Sequence, residues 1–221
     1  MEQGNFDTFI VAIIGLIPVI LSLSVHEFAH AWSAKQLGDD TATRHGRLTL
    51  NPIAHIDPIG TLVLPLLLTM QGLPAFGWAK PVPTDPSRYT RKISMWKGHM
   101  IVAAAGPISN LLMAIICLAL ASFLVHSGYI ANTPEAIATF LIRMVIINIA
   151  LFVFNMLPVA PLDGQSVLAG LLPSAWASGF HNISRRFGWI GLILIIVFAG
   201  RILARPVELI FTGLKAIVGL S

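Results

Sequence analysis

The chain has 221 residues, 56% hydrophobic and 11% charged, with a formal net charge of +4 and a mean hydropathy of +0.81. That balance is far too apolar for an ordinary soluble domain and predicts an integral membrane protein, while a single cysteine, Cys117, excludes disulfides and cysteine metal sites within one chain. In such a protein a pI of about 9.6 marks cytoplasmic loops and contacts with anionic lipid, so no nucleic-acid partner is expected.

The opening MEQGNFDTF lacks the basic region and small-residue cleavage site of a signal peptide, so the first apolar run is expected to stay as a transmembrane helix. Runs of spanning length, about 17 to 25 residues, fall at 8–34, 100–125, 136–157 and 188–203. A shorter run at 59–70, preceded by DPIG, fits either a re-entrant segment or a short span, and the interrupted apolar stretch 206–220 fits an interfacial helix or one packed on the bundle. Between Lys35 and Gly98 lie eight of the fourteen basic residues against four acids, which places that segment on the cytoplasmic side. Within it GLPAFGWAKPVPTDP reads as extended strands or a hairpin with tight turns. Cys117 lies in an apolar run as a small packing residue, and Arg143, inside the third run, fits snorkelling toward the outer headgroups.

Residues 26–30, HEFAH, break the apolarity of the first run. On a helix, positions i and i+4 share a face, so His26 and His30 aim at one point with Glu27 beside them, the arrangement of an H-E-x-x-H zinc site. Seven histidines and four glutamates in 221 residues give about 0.004 such matches in a shuffled chain, and three such groups left unpaired in lipid cost several kcal/mol. A bound metal removes that cost. Catalytic zinc takes three protein ligands and an open position, so a third ligand must come from elsewhere. His45, His55, His99, His126 and His181 lie in loops or at span ends, where a solvated imidazole is the ordinary state. Asp163, in NMLPVAPLDG (155–164), stands out because it follows directly on the third run, where Pro158 and Pro161 break the helix and Gly164 permits a tight turn. The same residues also fit a Pro-rich helix exit with a solvated aspartate.

HEFAH in the first core span, GPISN (106–110) in the next and NMLPVAPLDG closing the third resemble, in that order, the site-2 protease family of intramembrane zinc metalloproteases. The resemblance covers about 22–164 and lacks an inserted PDZ-like domain. It implies one Zn2+ per chain held by His26, His30 and Asp163, Glu27 as general base, and Asn155 near the catalytic centre as a substrate contact. The stretch FGWAKPVP resembles the family's membrane-associated β-loop, which makes Phe76, Gly77, Trp78, Ala79 and Lys80 candidate substrate-binding residues. The expected architecture is an all-α polytopic membrane protein: a bundle of about four to six transmembrane helices, a re-entrant segment at 59–70 and a small β-loop. It forms a single membrane-embedded domain over 1–221, with a catalytic core at about 8–164 and C-terminal helices at 165–221. Re-entrance follows from the site, because a full crossing at 59–70 puts Asp163 on the face away from the histidines. The expected function is hydrolysis of peptide bonds in or near the transmembrane segments of protein or peptide substrates, in the cell membrane, with the active site toward the cytoplasm and the oligomeric state open. GPISN reads first as close helix packing through Gly106 and Ser109, with Asn110 a possible neighbour of the site. Two rivals are a zinc transporter or sensor, which has no need of Glu27 as a base, and a silent relative that only binds transmembrane segments, in which the motif would usually be damaged.

Overall fold

An apolar stretch with one internal proline, Pro18, builds α1, Glu2–Gln36. Its 35 residues extend about 52 Å at 1.5 Å per residue. The computed structural model describes residues 2–71, 77–129 and 133–220, and the described residues are helical and irregular with no strand. After α1 come α2, Thr41–Arg44; a π-helical turn, Pro58–Val63, leading into α3, Leu64–Met70; α4, Met95–His126; α5, Glu135–Asn155; α6, Asp163–Leu171; α7, Ser174–Val197; and α8, Ala199–Ile217. Among the described residues α4, α5 and α7 are long and apolar enough to cross a membrane. α1 carries the run 8–34 on a longer helix still.

The start of the short helix is set by DPIG. Asp57 accepts hydrogen bonds from the Ile59 and Gly60 amides, and Pro58 takes the first helical position, where its missing N–H costs nothing. From Pro58 to Met70 the helix reaches only about 20 Å, well short of a hydrocarbon core of about 30 Å.

The run 188–203 is not one helix. α7 begins at Ser174, and its polar first half lies outside any count of apolar residues; the chain then turns at Phe198, with φ −103° and ψ 13°, before α8. The turn lets Leu203, Val207, Phe211 and Leu214, one face of α8 at helical spacing, pack against the core formed by Ala114, Cys117 and Leu118 of α4 and Leu141, Val145 and Ile149 of α5. The stretch after Pro206 is thus a packed helix. Cys117 is buried in that core as a small apolar residue.

Between α1 and α4 the chain is fastened by buried polar groups. The fully buried Asp39 accepts from Thr41 N and Thr41 Oγ1 with one oxygen and from Asp85 N with the other, and Arg47 Nη2 donates to the Lys80 and Pro81 carbonyls. At the surface Arg88 touches both Asp40 and Asp85 at 3.2 Å. The Asp40 carboxyl is held below the usual range first by its hydrogen bond from Arg44. That of Asp85 is lowered first by the Ser87 hydroxyl.

The expected β-loop has no strand partner among the described residues. Its amides serve other acceptors: Trp78 N donates to Gly60 O and Lys80 N to His55 O, while Thr61 Oγ1 donates to Trp78 O at 2.7 Å. Phe76 lies outside the described residues.

Candidate metal centre and its cleft

One turn of α1 separates His26 from His30, and their Nε2 atoms lie 3.0 Å apart with the rings edge to face at 85°. Asp163 meets them from another element. α5 stops at Asn155, the Pro-containing segment 156–162 reverses the chain through bonds from Val159 N to Leu157 O and from Leu162 N to Val159 O, and Asp163 opens α6. Gly164 makes that corner possible, because a Cβ there would sit 2.3 Å from Met156 O. Asp163 Oδ2 then lies 3.2 Å from His26 Nε2 and 3.4 Å from His30 Nε2.

α4 closes the third side. Gly106 lies so near the imidazoles that a Cβ would fall 2.4 Å from His30 Nε2 and 2.6 Å from His26 Cε1. Val102 O takes His30 Nδ1 at 2.7 Å, and Asn110 Oδ1 takes His26 Nδ1 at 2.6 Å. A carbonyl oxygen only accepts, so both imidazoles carry a proton on Nδ1, and in their neutral form each Nε2 offers its lone pair inward. Two Nε2 atoms and a carboxylate oxygen this close need a proton or a metal cation among them. Tetrahedral zinc with ligands at about 2.0–2.1 Å places its donor atoms about 3.3 Å apart, and the three observed separations bracket that figure. The donor set therefore fits zinc.

Glu27 is buried, at 8% exposure, and one carboxylate oxygen accepts from Val82 N at 2.8 Å. The site opens into a cleft of about 890 Å³ lined by His26, Glu27, His30 and Asp163 together with apolar side chains, among them Val19 of α1, Ile147 and Leu151 of α5 and Ile196 of α7. Asn155 lines it, its Nδ2 donating to Leu151 O. Gly77, Trp78 and Ala79 line it too. Lys80 does not, since its amide turns to His55 O and its side chain is exposed.

His26, His30 and Asp163 are the one group of three potential ligands found among the described residues. The other histidines are occupied elsewhere: His45 with Thr41 O, His55 with Thr49 O, His126 with Ser122 O and His181 with Gln165. His99 reaches the cleft wall without joining the trio. Sequence reasoning passed over Val102, whose backbone carbonyl carries no side-chain signal, and Ser22 and Asn148, fully buried polar residues inside apolar helices. An asparagine in the middle of a spanning run is itself a signal, since burying its amide unpaired in lipid is costly.

In sequence the chain is similar to "Putative zinc metalloprotease YwhC" of Bacillus subtilis, with 38% identity over 184 residues, 82% of this chain and 79% of the relative. It is also similar to "Putative zinc metalloprotease Rip2" of Mycolicibacterium smegmatis, 32% identical over 151 residues, and to the Rip2 of Mycobacterium tuberculosis, 32% identical over 153 residues. Each alignment covers 67% of this chain and 53% of the relative, so the chain spans about half the length of the Rip2 proteins. No protein-family profile matches the chain. No solved structure matches it.

Proposed function

Because the chain belongs to the site-2 protease family of zinc metalloproteases, we propose that its cleft hydrolyses peptide bonds in or near the transmembrane segments of membrane proteins, with Glu27 as general base and one zinc held by His26, His30 and Asp163. The observation that carries this reading is the meeting of two inward-facing Nε2 atoms and one carboxylate oxygen within 3.0 to 3.4 Å, beside a buried glutamate and in a largely apolar cleft. The relatives' names favour a protease over a zinc transporter or sensor.

When bound, zinc supplies the Lewis acidity that activates water and polarises a carbonyl. The protein does the rest. Val82 N–H holds one Glu27 oxygen in place, which leaves Oε1 to take a proton from the attacking water and return it to the leaving amine. Asn110 and Val102 O hold the two imidazoles in the tautomer that presents Nε2. The apolar lining of the cleft takes the hydrocarbon side chains of a membrane segment, and Asn155, at its wall, donates to or accepts from the substrate backbone.

A helical substrate hides its carbonyls in i to i−4 bonds, and unwinding it inside a membrane requires new partners for the released groups. Pairing with an extended segment provides them. The Trp78 and Lys80 amides are taken by Gly60 O and His55 O, whereas Ala79 lines the cleft, and its amide is the proposed donor to a substrate carbonyl. Substrate pairing therefore centres on Gly77, Trp78 and Ala79, and Lys80 has no side-chain part in it. Phe76, next to them in sequence, is proposed as a further substrate contact.

The two histidine ligands lie about 9 to 15 Å along α1 from its end at Gln36, and the basic segment that follows faces the cytoplasm by the positive-inside rule. The short helix Pro58–Met70 enters and leaves on that side, so that α4 runs outward, α5 returns, and Asp163 emerges level with the histidines. The protein is accordingly a multi-pass protein of the cell membrane with its site open to cytoplasmic water.

The test is Glu27→Gln. In purified protein it should lower peptide cleavage by about 10²- to 10⁴-fold while zinc content stays at that of wild type. Retained cleavage would remove Glu27 as the base.

A further inference from the structure

His26 is oriented by Asn110, but an asparagine amide can turn over and offer its NH2 where its oxygen stood. With the NH2 against Nδ1, the imidazole proton would have to move to Nε2, the atom that faces the metal corner. Something must forbid that rotation, and it lies one helix further in. Asn148 of α5 brings its Nδ2 to 2.8 Å from Met144 O and 2.8 Å from Ser22 Oγ. Met144 O accepts only, so the Asn148 NH2 must face it and Asn148 Oδ1 is left pointing at Asn110. Asn110 Nδ2 donates to that oxygen at 2.9 Å and more weakly to Ser22 O at 3.3 Å. Its own oxygen then has one remaining direction, toward His26 Nδ1 at 2.6 Å. Ser22 completes the chain by donating to Pro18 O at 2.7 Å, which leaves its lone pairs for Asn148. Ser22, Asn110 and Asn148 are each at 0% exposure, so no water substitutes for a missing partner.

We infer that Asn148 is a positioning residue for the metal centre: the backbone carbonyls of Met144 and Ser22, read through Asn148 and Asn110, fix the tautomer and ring orientation of His26. This rests on the zinc site proposed above. The competing role is a polar clamp that only holds α1, α4 and α5 together. A clamp changes the stability of the metal-free protein; an orienting chain changes metal affinity, and through Asn110.

The experiment is a double-mutant cycle read by zinc affinity, with a chelator as competitor, on purified full-length protein, together with the visible absorption of the cobalt-substituted form and the melting of the metal-free form. Asn148→Leu should weaken zinc binding by about 10- to 100-fold, the usual range for partners that orient a ligand, and shift the cobalt spectrum. Asn110→Leu should do at least as much. The double variant should bind no more weakly than Asn110→Leu alone. Asn148→Asp keeps an oxygen for Asn110 Nδ2 and should stay within about threefold of wild type. Should Asn148→Leu fail to fold, Asn148→Ala, which adds no bulk, is expected to show the same loss. Wild-type zinc affinity in the leucine or alanine variant, losses that multiply in the double variant, or an aspartate variant as weak as the leucine variant would each overturn the inference. Failure of the wild type itself to bind zinc would instead remove the metal site.

Discussion

A single methyl group added at Gly106 tests the geometry of the centre. In Gly106→Ala the new Cβ would lie 2.4 Å from His30 Nε2 and 2.6 Å from His26 Cε1, about 1 Å inside ordinary contact distance, and α4 has little freedom to retreat because Val102 and Ala103 are buried. The histidines must yield. In the metal-free protein no coordination distance is imposed and the imidazoles can shift by swinging on their Nδ1 hydrogen bonds, whereas the metal-bound state tolerates ligand shifts of only about 0.2 Å. Overpacking strain of about 1–3 kcal/mol then falls on the bound state, which converts to about 5- to 150-fold in zinc affinity at 1.36 kcal/mol per factor of ten. Chelator competition on detergent-purified protein measures it. Gly179→Ala on α7, where an added Cβ meets nothing within 4 Å, is the control and should leave affinity unchanged. Wild-type zinc affinity in Gly106→Ala would refute the placement of α4 against the ligands.

Three further outcomes are expected. Asp163→Ala should weaken zinc binding by more than about 100-fold, beyond the range for residues that only orient ligands, with the melting of the metal-free protein little changed; metal analysis beside a thermal melt checks both. Ala79→Pro should lower cleavage of membrane substrates severalfold by removing the amide proposed to donate to substrate, at constant zinc content, and equal cleavage would take the loop out of substrate binding. Single cysteines at Asp85, half-exposed beside Arg88, and at exposed Ser174 in a Cys117→Ala background should both be labelled from the cytoplasm only, and labelling of either from outside would require Pro58–Met70 to cross.

The helices at 95–126 and 135–155 were legible because their side chains are apolar all round, and spacing alone put His26 and His30 on one face. The helix at 174–197 is hidden for the opposite reason: its first half is polar, so the apolar run 188–203 begins too late and passes the turn at Phe198 into α8. Lys80 adjoins the cleft-lining residues in sequence, yet its amide donates to His55 O and its side chain is exposed, while Ala79 lines the cleft. Asn110 stood out within GPISN, whereas Asn148 and Ser22 stood in no motif. Their roles depend on which carbonyl lies opposite, and that is decided by three helices packing together. The contact between Val82 N and Glu27 was equally hidden, since 55 residues separate the partners.

The two histidines and the aspartate also lie far apart in the order of synthesis. His30 leaves the ribosome 133 residues before Asp163, an interval of about 7 to 27 s at 5–20 residues per second. The metal corner is thus closed by the last of its three donors to be made, on a different element from the other two, so the donor set is complete only in the packed bundle.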